Sequence, residues 1–403
     1  MKKSSLVLFL AAICLIISLA ACGSKEEKKD TDSSGNGKTE EKNTIELSEA
    51  AVNHADDGKD IIGISMPAIH LERWVRDGSY LQKEFIEAGY EVDVRWADNK
   101  IDTQQRNIHE LINLGADILL IAAVDGTALS DVLEEAKAAD IPVIAYDRII
   151  ESDSVDYYVS FDSYKVGQLE GEYIRDTLDL DHANGNTYNM EIVSGYSADK
   201  NADGYYYGAH DLLKPYIEAG TLIIPSGEEG YAETETFQWS TEYANQRMCG
   251  LLSSFYSSGR RLDAVLCAND SAAIGVAQAL ESDYRGNNQV LLTGQDGDEA
   301  NLKNIIDGKQ SMTVYKCLPH ETEVMFDVTA AFMKGEQINE SLIEKEGWDF
   351  DVIYTDDQYS NGTSNMKAFI LTPITITKDN IQSELIDKGF YVLDKDGYPK
   401  AAE

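Results

Sequence analysis

Short apolar runs alternate along most of the chain with longer stretches that are apolar only at every third or fourth position. From Asp60 onward the runs are DIIGISM (60–66), YEVDVRWA (90–97), ADILLIAAV (116–124), IPVIAYD (141–147), YYVSFD (157–162) and YNMEIVSG (188–195). They continue with TLIIPSG (221–227), LDAVLCAND (262–270), QVLLTGQD (289–296), SMTVYK (311–316) and FILTPITIT (369–377). Each has the length of a strand. Between them, YLQKEFIEAGY (80–90) repeats Leu81, Phe85 and Ala88 at helical spacing, and LSDVLEEAKAA (129–139) does so with Val132, Leu133 and Ala136. Strands that alternate with amphipathic helices imply βαβ units, so the expected fold class is α/β with mostly parallel sheets covered by helices on both faces. Roughly ten such units exceed one open sheet, which points to two doubly wound lobes.

The first 59 residues break this pattern. Two lysines in MKKSS precede the apolar run LVLFLAAICLIISLAA, and CGSK follows; this has the order of an export signal, expected over residues 1–21. The apolar run is short for a membrane span, and lysine-rich sequence begins at once. Residues 23–58 are rich in Gly, Ser, Lys and Glu and nearly free of large apolar groups, so the expectation for 22–59 is a disordered tether. Such a tether would reach on the order of 30–40 Å.

In open α/β sheets, ligands bind beyond the carboxyl ends of the strands. The polar residues at those ends are therefore the candidate chemistry. LERW supplies Arg73 and Trp74 after the first run; IPVIAY ends in Asp147 and Arg148; YYVSF ends in Asp162. YNMEIVSGYSA leads to Asp199 and Asn201, LDAVLCA ends in Asn269 and Asp270, the TGQD run in Asp296, and SMTVY in Lys316. Any one of the Asp or Asn residues could be a helix cap and no more. Together they mix carboxylates, amides, Arg and Lys, which suits a neutral polyol. Carboxylates accept the proton of a hydroxyl, and cations or amides serve its oxygen. Trp74 and Trp239 offer flat faces for the apolar side of a pyranose.

Charge and cysteine narrow the picture further. A net charge of −37 argues against nucleic-acid binding, which needs a basic face. Of the five cysteines, Cys14 falls in the leader and Cys22 directly after it, and Cys249, Cys267 and Cys317 are too scattered for a zinc site or a disulfide framework. Neither a metal nor a cofactor is expected. The acidic stretch around Asp349, Asp351, Asp356 and Asp357 lacks the spacing of a calcium loop and reads as solvated surface.

The ordered series LERW, DGTALSDVLEEAKAADIPVIAYDRII, YYVSFDSYKVGQLEG, LLKPYIEAG, NDSAAIGVAQAL, TGQD, MTVYK and LTPITITKDN resembles the type I periplasmic sugar-binding proteins of ABC importers. It is most similar to their xylose-binding and multiple-monosaccharide-binding branch, from about Asp60 to Tyr391. The resemblance implies two lobes joined by three crossings with a sugar between them. One lobe is expected at 60–162 plus 317–362 and the other at 163–316 plus 363–403. The crossings would lie near Asp162–Ser163, Val314–Lys316 and Asn361–Met366. It carries sugar contacts to Arg73, Trp74, Asp147, Arg148, Asp199, Asn201, Trp239, Asn269, Asp270, Asp296 and Lys316. Lys200 stands where the family usually has an asparagine. Leu19-Ala20-Ala21-Cys22 resembles a bacterial lipobox, which implies a diacylglycerol on Cys22 and an extracytoplasmic, membrane-anchored protein. The implied partners are a monosaccharide of the xylose, glucose, galactose or arabinose class and an importer permease; a monomer is family habit.

Rival readings are weaker. A glycosidase would need a carboxyl of raised pKa, and Arg148 and Lys316 argue against one among these carboxylates. Sugar-responsive repressors share the fold but carry an N-terminal helix-turn-helix, where this chain has a leader and an acidic tether. A sensor presenting its closed form to a membrane kinase or chemoreceptor is the alternative to import. A quorum-signal ligand suits the paired Asp and Arg and the two Trp less well than a pyranose does.

Overall fold

The computed structural model describes residues 58–402. The export signal, Cys22 and nearly all of the expected tether lie outside them. The chain first forms β1 (Ile61–Met66), β2 (Glu91–Trp96), β3 (Ile118–Ile121), β4 (Val143–Tyr146) and β5 (Tyr157–Phe161). It continues with β6 (Tyr188–Val193), β7 (Leu222–Ile223), β8 (Ala264–Cys267), β9 (Leu291–Leu292) and β10 (Met312–Tyr315). The last third adds β11 (Val352–Ser360), β12 (Asn365–Leu371), β13 (Ile374–Thr377), β14 (Tyr391–Leu393) and β15 (Pro399–Ala401).

Two main sheets result. The first has the order β11-β12-β5-β4-β3-β1-β2 and is parallel except for β11, which runs antiparallel to β12. The second has the order β7-β6-β8-β9 and is parallel throughout. β10 joins its far side through a parallel bridge between Gln295 and Val314, and β13 pairs antiparallel with β10. The unbroken apolar runs have a simple cause: both faces of each sheet are covered. Along β3, Ile118 and Leu120 enter the core on one side while Leu119 and Ile121 enter the core on the other. Along β8, Ala264 and Leu266 oppose Val265 and Cys267 in the same way. The helix Ser130–Ala138 buries Val132, Leu133 and Ala136 as its spacing predicts. The helix Glu72–Glu87 buries Leu81 and Phe85, but Ala88 is its exposed C-cap and not part of the stripe.

The structure revises the end of the chain. FILTPITIT is two strands and not one. Pro373 has no N–H to give a ladder, so the run breaks there; β12 pairs with β5 in the first sheet and β13 with β10 in the second. Residues 363–371 therefore stay with the first sheet instead of joining the second lobe. The last crossing falls between Leu371 and Ile374 rather than near Asn361–Met366, where a turn closes the β11–β12 hairpin: the Asn361 side chain accepts from the N–H groups of Thr363 and Ser364 at 3.0 and 2.7 Å. The acidic stretch read as solvated surface contains β11, an edge strand. Exposed Asp356 and Asp357 and a register shift between Thr355 and Tyr359 keep that edge from pairing with another chain. Among the described residues no group of His, Cys, Asp and Glu is arranged to hold a metal ion, and no helix is long and apolar enough to cross a membrane.

Helices also meet closely where glycines allow it. The helices Ser163–Thr177 and Asn201–Glu218 pack so tightly that a Cβ on Gly167 would lie 2.0 Å from the Tyr205 carbonyl oxygen, and one on Gly208 would lie 2.1 Å from that of Tyr164. In an open helix Gly→Ala stabilises by about 0.5–1 kcal/mol. Here the sign should invert: Gly167→Ala is expected to destabilise the protein by about 1–3 kcal/mol in denaturant titration. A gain in stability would contradict this packing.

Candidate functional site

The strand ends of both sheets face one another across a cleft. Its cavity, of about 30 Å³, is lined from the first sheet's side by Leu71, Arg73, Trp74, Asp147 and Arg148, and from the second by Asp199, Tyr205, Trp239, Asn269, Ser271, Gln295, Asp296 and Asp298. Lys316, at the crossing that follows β10, completes the wall. That volume has room for about two waters, so the lobes are shut on the site in this structure.

Local structure explains how each group gets there. Arg73 and Trp74 occupy the first turn of the helix that follows β1. Asp147 ends β4 with φ of 57°, and Asp296 follows β9 with φ of 107°. Both are left-handed positions that side-chain-bearing residues rarely take, and such strain is retained where the surrounding bonds over-determine it. Trp239 and Gln238 also have positive φ, 57° and 53°, in a tight turn that projects the indole inward. Gly195 leaves room for it: a Cβ there would lie 2.2 Å from the Trp239 ring.

Charge organises the floor of the cavity. The Arg73 guanidinium, 5% exposed, donates to Asp147 at 2.5 Å, Asp77 at 3.1 Å, Glu321 at 3.3 Å and Asp296 at 3.4 Å. Lys316 adds contacts to Asp296 at 3.2 Å and Asp147 at 3.5 Å. Burial alone would raise the Asp147 carboxyl, but Arg73 and then Lys316 pull it down to about 2. Its stabilising contribution is present above the usual carboxylate value and is lost only as pH falls through about 2, so Asp147 stays ionised at neutral pH. Burial pushes Asp77 and Glu321 up despite Arg73. Arg148 meets Asp199 at 3.0 Å and donates to the Ala123 carbonyl at 2.8 Å. Both arginines meet the Trp74 ring, the Arg73 guanidinium at 4.7 Å and that of Arg148 at 4.9 Å from its centre.

Nine of the eleven residues expected at the site line the cavity; Asn201 and Asp270 do not. Asn201 donates to the Asp147 carbonyl at 2.6 Å and accepts from the Tyr158 hydroxyl at 3.2 Å, so it ties the lobes together behind the wall. Lys200 pairs with Glu151 at 3.2 Å, also outside the cavity. Asp270 is consumed by its own lobe. Its carboxylate accepts from the Gly297 and Asp298 N–H groups at 2.9 and 3.0 Å, from Thr313 at 3.0 Å and from Gln310 at 2.9 Å. It holds the loop that carries Asp296. Asn269 both caps the helix Asp270–Asp283, accepting from Ala272 N–H at 2.9 Å, and lines the cavity. Asp162 caps the helix Ser163–Thr177 through Lys165 N–H at 2.9 Å. Tyr205, Ser271, Leu71 and Asp298 also line the cavity and were not among the expected site residues, and neither was Gln295, although it stands at a strand end beside Asp296. Gln295 stood in the quoted TGQD run, but Tyr205 lies inside a helix and gave no strand-end signal. Trp239 Nε1 and Gln295 Oε1 are buried without a protein partner, one a donor and one an acceptor, so the wall has hydrogen-bonding capacity left over.

Comparison with known proteins agrees with this geometry. Residues 62–337 match the family described as periplasmic binding protein domain. The chain is 36% identical over 342 residues to the multiple sugar-binding periplasmic receptor ChvE of Rhizobium radiobacter, covering 84% of this chain and 92% of that one. It is 31% identical over 340 residues to the D-xylose-binding periplasmic protein of Escherichia coli, covering 84% and 92%. Among solved structures, an ABC transporter solute-binding protein from Clostridium phytofermentans with bound β-D-glucose shares 40% identity at a TM-score of 0.77, over 84% of this chain and 99% of that one. One from Chloroflexus aurantiacus in complex with D-glucose shares 29% at a TM-score of 0.72, over 82% and 96%. These relatives are binding proteins and not enzymes.

The contrast between Asp270 and Asp296 can be measured without any ligand. Asp270→Ala leaves four buried donors without their acceptor and should destabilise the free protein by about 2–4 kcal/mol in denaturant titration. Asp296→Asn should change the same measurement by less than about 1 kcal/mol, since Arg73 keeps three other carboxylates. Equal losses would contradict the division of labour between them.

Proposed function

Because the chain belongs to the periplasmic binding protein family, in its branch of multiple-sugar and xylose receptors, and is a sugar-binding component of an ABC transporter, we propose that it captures one pyranose monosaccharide of the glucose and xylose class between its lobes. The observation that carries this reading is the convergence of strand-end residues from both sheets on one cavity that mixes carboxylates, cations, amides and two indoles. A neutral ring with several hydroxyls matches that mixture. Asp147, Asp199 and Asp296 accept hydroxyl protons, Arg73, Arg148, Lys316 and Asn269 donate to hydroxyl oxygens, and the indole of Trp239 meets a C–H face. Residues that already neutralise one another across the cleft also limit the cost of burying them beside an uncharged ligand.

Delivery completes the reading. Cleavage before Cys22 and a diacylglycerol on its sulfur would anchor the protein outside the cytoplasmic membrane, and the tether of residues 22–59 would give it reach to the permease of the importer. The protein acts as a monomer whose lobes, roughly 60–162 with 317–371 and 163–316 with 374–377, close on the sugar. The extracytoplasmic position follows the family; the anchor rests on the lipobox alone. Metabolic labelling with a fatty-acid analogue tests it: the wild type should be labelled and Cys22→Ala should not.

Calorimetry against glucose, xylose, galactose and arabinose, with ribose and a disaccharide as controls, tests the ligand. One-to-one binding of at least one pyranose is expected. Asp296→Asn should cost about 1.5–3 kcal/mol of affinity through loss of a charge-assisted bond. Trp239→Ala should weaken binding more than it lowers the melting temperature of the free protein. No heat with any monosaccharide would overturn the reading.

A further inference from the structure

The turn that carries Asp296 is held from two sides, and at one of them the first lobe takes part through Arg76. Below it, Asp270 accepts from the Gly297 and Asp298 N–H groups, and Asp296 N–H donates to the Val314 carbonyl at 2.9 Å. Beside it stands the C-terminal hairpin formed by β14 and β15, which lies beyond residues 62–337 that match the family. The Tyr391 hydroxyl donates to the Gly297 carbonyl at 2.6 Å and accepts from Arg76 at 2.5 Å. Arg76 also reaches Asp298 at 3.2 Å. Gly297, at φ of 76°, sits between the two residues so held, and a Cβ on it would lie 2.7 Å from the Tyr315 ring and 3.5 Å from the Tyr391 hydroxyl.

Arg76 belongs to the helix Glu72–Glu87 of the first lobe, one turn beyond Arg73. A single helix face thus presents one arginine to the cavity and another to the back of the turn opposite. Contacts around the same place continue across the cleft: Glu72 accepts from the Glu299 N–H at 3.1 Å, and Glu299 accepts from the Ala401 N–H at 2.8 Å. Tyr391 itself is 1% exposed and stacks edge-on against Tyr315 at 5.9 Å.

We propose that Tyr391 and Arg76 are positioning residues for sugar binding: they hold the strained Asp296 turn in its binding geometry, and Arg76 does so only when the lobes are shut. This rests on the sugar-binding reading above. Neither residue touches the cavity, so neither reads the ligand. The Arg76 bonds cross from the first lobe, so they form late, on closure, and break before release, while the Tyr391 bond to Gly297 stays with the second lobe. The pair therefore sets how long the ligand is retained and has little influence on how fast it arrives.

Trp74 and Trp239 line the cavity, so intrinsic fluorescence in a stopped-flow instrument reports both rates, after calorimetry has named the sugar. Tyr391→Phe keeps the ring and removes the hydroxyl. It should speed sugar release about five- to ten-fold and leave association within about two-fold. Arg76→Gln should act in the same direction. Tyr80→Phe is the control: its hydroxyl ties the same C-terminal segment to the first lobe through the Ala402 carbonyl at 3.0 Å without touching the turn, and release should stay at the wild-type rate. Wild-type release from Tyr391→Phe would overturn the proposal while leaving the sugar reading intact. Equal acceleration by Tyr80→Phe would also overturn it, because the effect would then belong to hairpin docking and not to the turn. A wild type that binds no monosaccharide would remove the sugar reading and the proposal together.

Discussion

A guanidinium with almost no water around it must be met by carboxylates, and the source of those carboxylates fixes the geometry of this protein. Arg73 draws Asp77 from its own helix, Asp147 from the end of β4, Glu321 from the helix Leu318–Met333 after the second crossing, and Asp296 from the other lobe. Desolvating one of these groups alone would be costly, so each is held where its partner can reach it. The cleft is shut by the same charges that furnish its wall. Lys316, placed at a crossing, touches carboxylates of both lobes and ties the hinge to the site.

This arrangement suits a ligand that brings hydroxyls and no charge. An anion or cation would upset a balance already set between the lobes, whereas a polyol can share the carboxylates and the arginines without removing them from one another. The surplus donor on Trp239 and surplus acceptor on Gln295 are of the kind a hydroxyl group satisfies. Behind the wall the division of labour is different. Asp270, Asn201 and Tyr391 are as buried as the wall residues, yet each bonds to backbone groups of the strand-end turns, and through those bonds they fix the positions of Asp296 and Asp147.

How much of this the sequence carries depends on the range of the signal. A buried parallel strand and the polar residue at its end are adjacent in the chain, so the two sheets and nine of the wall residues were legible from local pattern. Which way a strand-end side chain points is not local. Asn269 and Asp270 are neighbours in one motif, but the first faces the cavity and the second turns back to the loop of Asp296, a choice set by Gln310 and Thr313 some forty residues away. β11 escaped notice because an edge strand answers to solvent and to negative selection against pairing, so Asp356 and Asp357 mask its periodicity. FILTPITIT misled for the opposite reason: its apolar content is continuous, and only Pro373 marks the point where the chain changes lobes. The C-terminal hairpin left no pattern at all, since its hold on the fold comes from Tyr391 and Ala401 reaching helices of both lobes.

Ligand and lobes should close on one another around Arg73. Small-angle X-ray scattering of the protein with and without the monosaccharide it binds measures that closure. The radius of gyration should fall on adding sugar and should not change with a non-binding sugar at the same concentration. Identical radii with and without a sugar that calorimetry shows to be bound would contradict closure between the lobes.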